Sequence, residues 1–185
     1  MNRIASFVLL AGILTATAAQ ASSSNPPDFY LNTSGVVSCT ACHRGSEPNT
    51  GGGSLKIEGL PAQYTPGEKY TVRVTISHPG FKKWGFMLSA MDAAGKQAGQ
   101  FISNDPQIDL KTSFGVTFVK QSFNGTDSLG ASRSWTFQWK APATGNVTIS
   151  AQGLAADGSN NSVGDFTYTA SQSISAGAAA AATAD

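Results

Sequence analysis

Ser134-Trp135-Thr136-Phe137-Gln138-Trp139 decides how this chain folds. In an extended strand successive side chains point to opposite faces, so three aromatic rings fall on one side and Ser134, Thr136 and Gln138 on the other. A face carrying that much aromatic surface has to be buried, and the polar face stays in water. Ala141-Pro142 follows and ends the strand, because proline cannot donate to a ladder.

Upstream, Tyr70-Thr71-Val72-Arg73-Val74-Thr75-Ile76-Ser77 repeats the pattern with Tyr70, Val72, Val74 and Ile76 against polar partners. Turn chemistry brackets it: Tyr64-Thr65-Pro66-Gly67 before, His78-Pro79-Gly80 after. Further strands are predicted at Leu55–Ile57, Trp84–Asp92 (closed by Ala93-Ala94-Gly95-Lys96), Gly99–Ile102 and Ile108–Leu110. Others are predicted at Phe114–Phe118, where Phe114, Val116 and Phe118 share a face, and at Val147–Ala151 and Phe166–Tyr168. Seven to nine short strands with almost no helical period give an all-β antiparallel sandwich over residues 54–170. The Ala-rich tail, residues 171–185, lacks periodic contrast and reads as disordered or a frayed helix.

Ahead of the sandwich lies Cys39-Thr40-Ala41-Cys42-His43, which uses both cysteines of the chain and one of its two histidines. Two thiols three positions apart can add to the two vinyl groups of one haem, and the adjoining imidazole then becomes an axial iron ligand. The motif is therefore read as the attachment site of one covalent haem c, with Cys39 and Cys42 as thioether anchors and His43 as the proximal ligand. The alternative is a Cys39–Cys42 disulfide in a non-redox binding or adhesion sandwich. A structural zinc site needs four ligands and finds no further cysteine, and a thioredoxin-type site needs a βαβ context that this sequence lacks. Residues 22–53 around the motif, with Pro26-Pro27, Pro48 and Gly51-Gly52-Gly53, read as an irregular haem-attachment arm.

Residues 1–21 carry an export signal: positive Arg3, an apolar run Ile4–Leu14 and the small-residue site Ala19-Gln20-Ala21. The expected location is periplasmic or extracellular, with no transmembrane segment after cleavage. Without Arg3 the chain has 11 basic against 11 acidic residues, which argues against nucleic acid or an anionic membrane as its partner. The expected partner is a redox protein of the envelope.

Four ordered blocks resemble a known family: Leu60-Pro61 through Tyr64-x-Pro66-Gly67-x-x-Tyr70, Trp84-Gly85-Phe86-x-Leu88, Ala98-Gly99-x-Phe101, and Ser134-Trp135-Thr136-Phe137-x-Trp139-x-Ala141-Pro142. Together, over residues 36–170, they resemble the reelin-type (reeler) domain, most closely its bacterial exported choice-of-anchor V group. Members of that group often carry a C-x-x-C-H just before the sandwich. The resemblance implies an immunoglobulin-like sandwich with a haem-attachment prefix, and implies little about substrate. Where many relatives have a Thr-His-Ser-like triplet this chain has Lys120-Gln121-Ser122, and it has no cysteine for the bracing disulfides of animal reeler domains.

Opposite His43 the candidates for the sixth iron ligand are His78, Met87 and Met91. His78 stands in a turn, where imidazole is usually solvated; Met87 and Met91, four apart on a strand, share a face on which methionine commonly fills core. The remaining option is an open iron, as in a haem sensor or enzyme. Asp157-Gly158-Ser159-Asn160-Asn161 with Asp165 is rich in oxygen donors, but its spacing does not fit an EF-hand and an exposed turn explains it. Neither Gly-x-Ser-x-Gly nor His-Glu-x-x-His occurs. Electron transfer needs no such groups, so an electron carrier or redox-linked module is the leading expectation.

Overall fold

The structure, a computed structural model, describes Pro26, residues 39–159 and residues 161–178. The expected signal peptide, most of the arm before Cys39 and the last residues of the tail lie outside the described residues.

Among the described residues ten strands form two sheets. They are β1 (Ser54–Glu58), β2 (Gln63–Tyr64), β3 (Lys69–Ser77), β4 (Lys83–Met91), β5 (Gln100–Ile102), β6 (Ile108–Ser113), β7 (Val116–Gln121), β8 (Ser132–Lys140), β9 (Asn146–Ala156) and β10 (Phe166–Ala176). One sheet runs β1-β3-β8-β5 and the other β2-β10-β9-β4-β7-β6. All pairings are antiparallel except the short β2–β10 contact, as the all-β sandwich expectation requires.

The alternation read from the sequence is what joins the sheets. Val72, Val74 and Ile76 of β3 and Trp135, Phe137 and Trp139 of β8 point inward and are buried. From the opposite sheet Phe86 stacks on Trp135 at 4.4 Å, and Tyr64 meets Trp139 edge-on at 5.7 Å. Both indoles also satisfy their N–H groups, Trp135 Nε1 donating to the Gly125 carbonyl (3.1 Å) and Trp139 Nε1 to that of Ala98 (3.0 Å). At roughly 200 Å² per ring and about 25 cal/mol per Å², each buried tryptophan stabilises the fold by up to about 5 kcal/mol.

Two expectations change. Phe114 is not a strand residue: β6 and β7 form a hairpin whose two-residue turn is Phe114-Gly115, both with positive φ (52° and 76°). That is the geometry of a type I′ turn, and it throws Phe114 into solvent at 88% exposure. The other change is at the C-terminal boundary, where β10 runs through residues 171–176, paired with β9 as far as Ser175 and with β2 at Ser175 and Ala176. Their alternation of small and polar side chains suits a strand with one wet face, which an Ala-rich composition concealed.

β4 is buried from Trp84 to Met91 on both faces. Phe86, Leu88 and Ala90 fill the core between the sheets, while Met87 and Met91 join Val116 and Phe118 in a second apolar cluster on the outer face of the six-stranded sheet. Lys120 and Gln152 stand in register with Met87 on that face, and both are buried.

Candidate functional site

Cys39–Ala41 forms a 3₁₀ turn, and the amides of Cys42 and His43 both donate to the Cys39 carbonyl, at 3.2 and 2.8 Å. A single helical turn of this kind brings positions i, i+3 and i+4 to one side. Cys39, Cys42 and His43 therefore belong to one turn.

The turn is fixed to the β9–β10 hairpin at three points. The Cys39 amide donates to Gln152 Oε1 at 3.1 Å, the Arg44 amide to the Ser162 carbonyl at 2.8 Å, and His43 Nδ1 to Asp165 Oδ2 at 2.5 Å. Asp165 is the decisive partner. Its side chain is 1% exposed and its other oxygen accepts the Asp157 amide at 3.0 Å. The carboxylate accepts from Nδ1–H, so the imidazole is held with Nε2 turned away from Asp165. A carboxylate behind the distal nitrogen is the arrangement that orients a metal-binding histidine and raises its basicity.

The thiols are free cysteines. Desolvation of the Cys39 sulfur, reinforced by its neighbour Cys42, pushes that thiol up to about 11. Burial thus favours the thiol form of Cys39 at neutral pH.

The candidate sixth ligands part company. His78 is buried: its ring stacks on Phe166 at 4.5 Å, meets Phe81 edge-on at 4.2 Å, and donates from Nδ1 to the Pro79 carbonyl at 2.8 Å. Its Nε2 has no hydrogen-bond partner among the described residues and looks toward Gly51, where a Cβ would come within 2.9 Å. Gly51 has φ +80°, so chain conformation and space both demand glycine there. Phe166 and Tyr168 turn toward the core and Asp165 precedes them, so the β10 backbone stands between His78 and the Cys39–His43 turn. Met87, by contrast, lies on the outer face beside Gln152, the residue that holds Cys39, and Met91 lies four residues farther along β4.

The oxygen donors of the β9–β10 turn are spent on the turn itself. Asp157 Oδ1 accepts the Ser159 amide at 2.8 Å, Asn161 Oδ1 accepts that of Val163 at 2.7 Å, and the Ser159 hydrogen bonds hold the Asp157 carboxyl below its usual range. Among the described residues no group of three or more His, Cys, Asp or Glu side chains is arranged to hold a metal ion. Lys120, Gln121 and Ser122 serve structure: Lys120 Nζ donates to the Pro26 carbonyl, Gln121 Oε1 accepts the Phe86 amide, and Ser122 Oγ donates to the Pro106 carbonyl. Asp165 as the His43 partner and Gln152 as the Cys39 partner escape sequence reasoning, because each is more than a hundred residues from its contact.

A Reeler-domain family model matches residues 37–159, more than half of the 185 residues. The chain belongs to the Reeler-domain family. Among solved structures, the Reelin-N domain of F-spondin is similar at 23% identity and TM-score 0.50, with 76% of this chain and 96% of that domain covered. A fragment of the human F-spondin reeler domain is also 23% identical, with TM-score 0.49 over 71% of this chain and 92% of that one. The likeness to the Reelin-N domain of F-spondin shows a shared fold. No curated protein matches. Among the described residues of this reeler chain no helix is long and apolar enough to cross a membrane.

Proposed function

We propose that this reeler-domain protein is an exported monohaem c-type protein, an electron carrier or redox-linked module of the bacterial cell envelope akin to the choice-of-anchor V group. One observation carries the reading: buried Asp165 accepts a hydrogen bond from His43 Nδ1 and so orients the imidazole with Nε2 on its far side, on the same turn that bears Cys39 and Cys42. That donor set fits haem c, with two thiols to form thioethers and one oriented imidazole to bind iron.

When bound, the haem supplies one-electron chemistry between ferric and ferrous iron. The chain supplies the rest. Asp165 orients the imidazole and compensates charge on it, and Gln152 and Ser162 fix both ends of the attachment turn to the hairpin. The core packing of Phe86, Trp135 and Trp139 lies beneath that hairpin. The partner implied is a redox protein of the envelope; the balanced charge offers nothing for nucleic acid.

Intact mass of the protein produced in a host with haem c maturation machinery tests the reading. The expected result is the mature polypeptide plus one haem, with colour retained through acid-acetone extraction. A polypeptide mass lowered by two hydrogens, and no colour, would mean a Cys39–Cys42 disulfide and the binding-module alternative.

A further inference from the structure

We propose that two copies of this chain join edge to edge through β6, antiparallel about a two-fold axis at Leu110. Among the described residues β6 ends the six-stranded sheet and has no neighbour on its outer side. The opposite margin is covered, since β2 and Asn49 both bond to β10. An open strand edge is a template for another chain, and proteins ordinarily blunt it with proline, a bulge or a lone charge. β6 (Ile108-Asp109-Leu110-Lys111-Thr112-Ser113) holds no proline and pairs with β7 residue for residue, without a bulge.

The ladder fixes which backbone groups of β6 face outward. A hairpin with a two-residue turn closes on a mutually hydrogen-bonded pair, here Ser113 and Val116, and bonded pairs then alternate with unbonded ones. Asp109 and Lys111 therefore direct their amides and carbonyls to Lys120 and Phe118, while Leu110 and Thr112 direct theirs away from β7. Two contacts agree with this phase. The Thr117 amide leaves the hairpin for Gln97 Oε1 at 2.8 Å, and the Ser122 amide returns to the Gln107 carbonyl at 2.9 Å. About an axis at Leu110, the amide of each Leu110 meets the carbonyl of the other, and each Thr112 amide meets the Ile108 carbonyl of the second copy.

Side chains select that register. With the axis at Leu110, Asp109 of each copy faces Lys111 of the other, so two opposite-charge pairs form. An axis one residue to either side would set Asp109 against its own copy or Lys111 against its own copy. Asp109 and Lys111 are both exposed, and among the described residues neither is in an ion pair. Leu110, 38% exposed, meets its counterpart, and Phe114 falls opposite the exposed Pro106 of the second copy. A surface whose charges and exposed apolar groups match their own image is what a two-fold dimer requires. The margins of the other sheet lack this match. β5 is three residues long, and on β1 Glu58 already stands opposite Arg73 and accepts the Thr75 hydroxyl at 3.4 Å.

Sedimentation equilibrium of the full exported chain over a concentration series tests the proposal, with near-ultraviolet circular dichroism confirming that each variant is folded. The wild type should fit a monomer–dimer equilibrium. Asp109→Lys and Lys111→Asp each set two like-charge pairs face to face and should weaken the dimer about tenfold or more. The double variant Asp109→Lys/Lys111→Asp exchanges the two charges and should restore association. A mixture of the two single variants should form a heterodimer tighter than either homodimer. A wild type that stays monomeric at every concentration, or a dimer indifferent to the single variants, overturns the proposal. So does a double variant or a mixture that fails to recover association. The measurement does not depend on haem content, so either result leaves the haem reading where it stands.

Discussion

Replacing Asp165 by asparagine isolates the contact on which the site is built. The carboxylate serves two donors with two oxygens, His43 Nδ1 at 2.5 Å and the Asp157 amide at 3.0 Å. Asparagine keeps the shape but has one carbonyl oxygen, so its amide group must face one of the two donors. The change removes one hydrogen bond to a charged acceptor, worth about 1.5–3 kcal/mol, and leaves a donor against a donor in a site whose side chain is 1% exposed. The expected loss is about 2–3 kcal/mol in urea unfolding at unchanged m-value, or roughly 5–10 °C in Tm for a chain of this length. Asp165→Ala removes both acceptors and should cost roughly 3–5 kcal/mol. In the loaded protein the loss of a negative charge behind His43 favours ferrous iron, so the potential of Asp165→Asn should rise. A variant within about 0.5 kcal/mol of the parent with an unshifted potential would refute the claim that Asp165 orients His43.

Phe114→Asn converts the β6–β7 turn to Asn-Gly, the sequence that a type I′ geometry favours, and should raise the unfolding free energy by about 1 kcal/mol in the same denaturant assay. Gly51→Ala sets a Cβ within 2.3 Å of Phe166 Cε1 at a φ of +80°, and should lower stability by about 3 kcal/mol while exposing His78, read as a new imidazole signal accessible to solvent in proton NMR. Burial raises the phenol pKa values of both Tyr64 and Tyr168, so the folded state favours the neutral phenol. Their contribution is then complete below the unfolded value near 10 and is lost as pH climbs through the higher folded values. Equilibrium unfolding as a function of pH should show stability falling first as the Cys39 thiol ionises in the unfolded chain and further above about pH 10, and Tyr64→Phe with Tyr168→Phe should flatten that second part.

The sandwich was legible because its signal is local. Trp135, Phe137 and Trp139 alternate on β8, Val72, Val74 and Ile76 on β3, and a period of two survives any change in what surrounds it. Phe114 misled for the same reason: alternation with Val116 and Phe118 is a strand pattern, and only Gly115 after it hinted that the chain reverses there. β4 shows no burial alternation because both of its faces are covered, so composition identified it and periodicity did not. β2 is two residues held by a parallel contact with β10, too short to leave a pattern. At the site, the spacing of Cys39, Cys42 and His43 put the three on one short turn, which is a local property of the chain. The partners that give the turn its orientation were out of reach. Asp165 looked like one more oxygen in a polar turn, and its role depends on β10 returning beside a segment 122 residues earlier.

The path taken by residues 39–53 has a consequence for how the molecule meets other copies of itself. After His43 the chain rounds the rim of β10, where Asn49 donates its amide to the Thr167 carbonyl and accepts the Thr169 amide on Oδ1, before entering the opposite sheet as β1. One asparagine thereby mimics a neighbouring strand along a margin that would otherwise recruit a second copy.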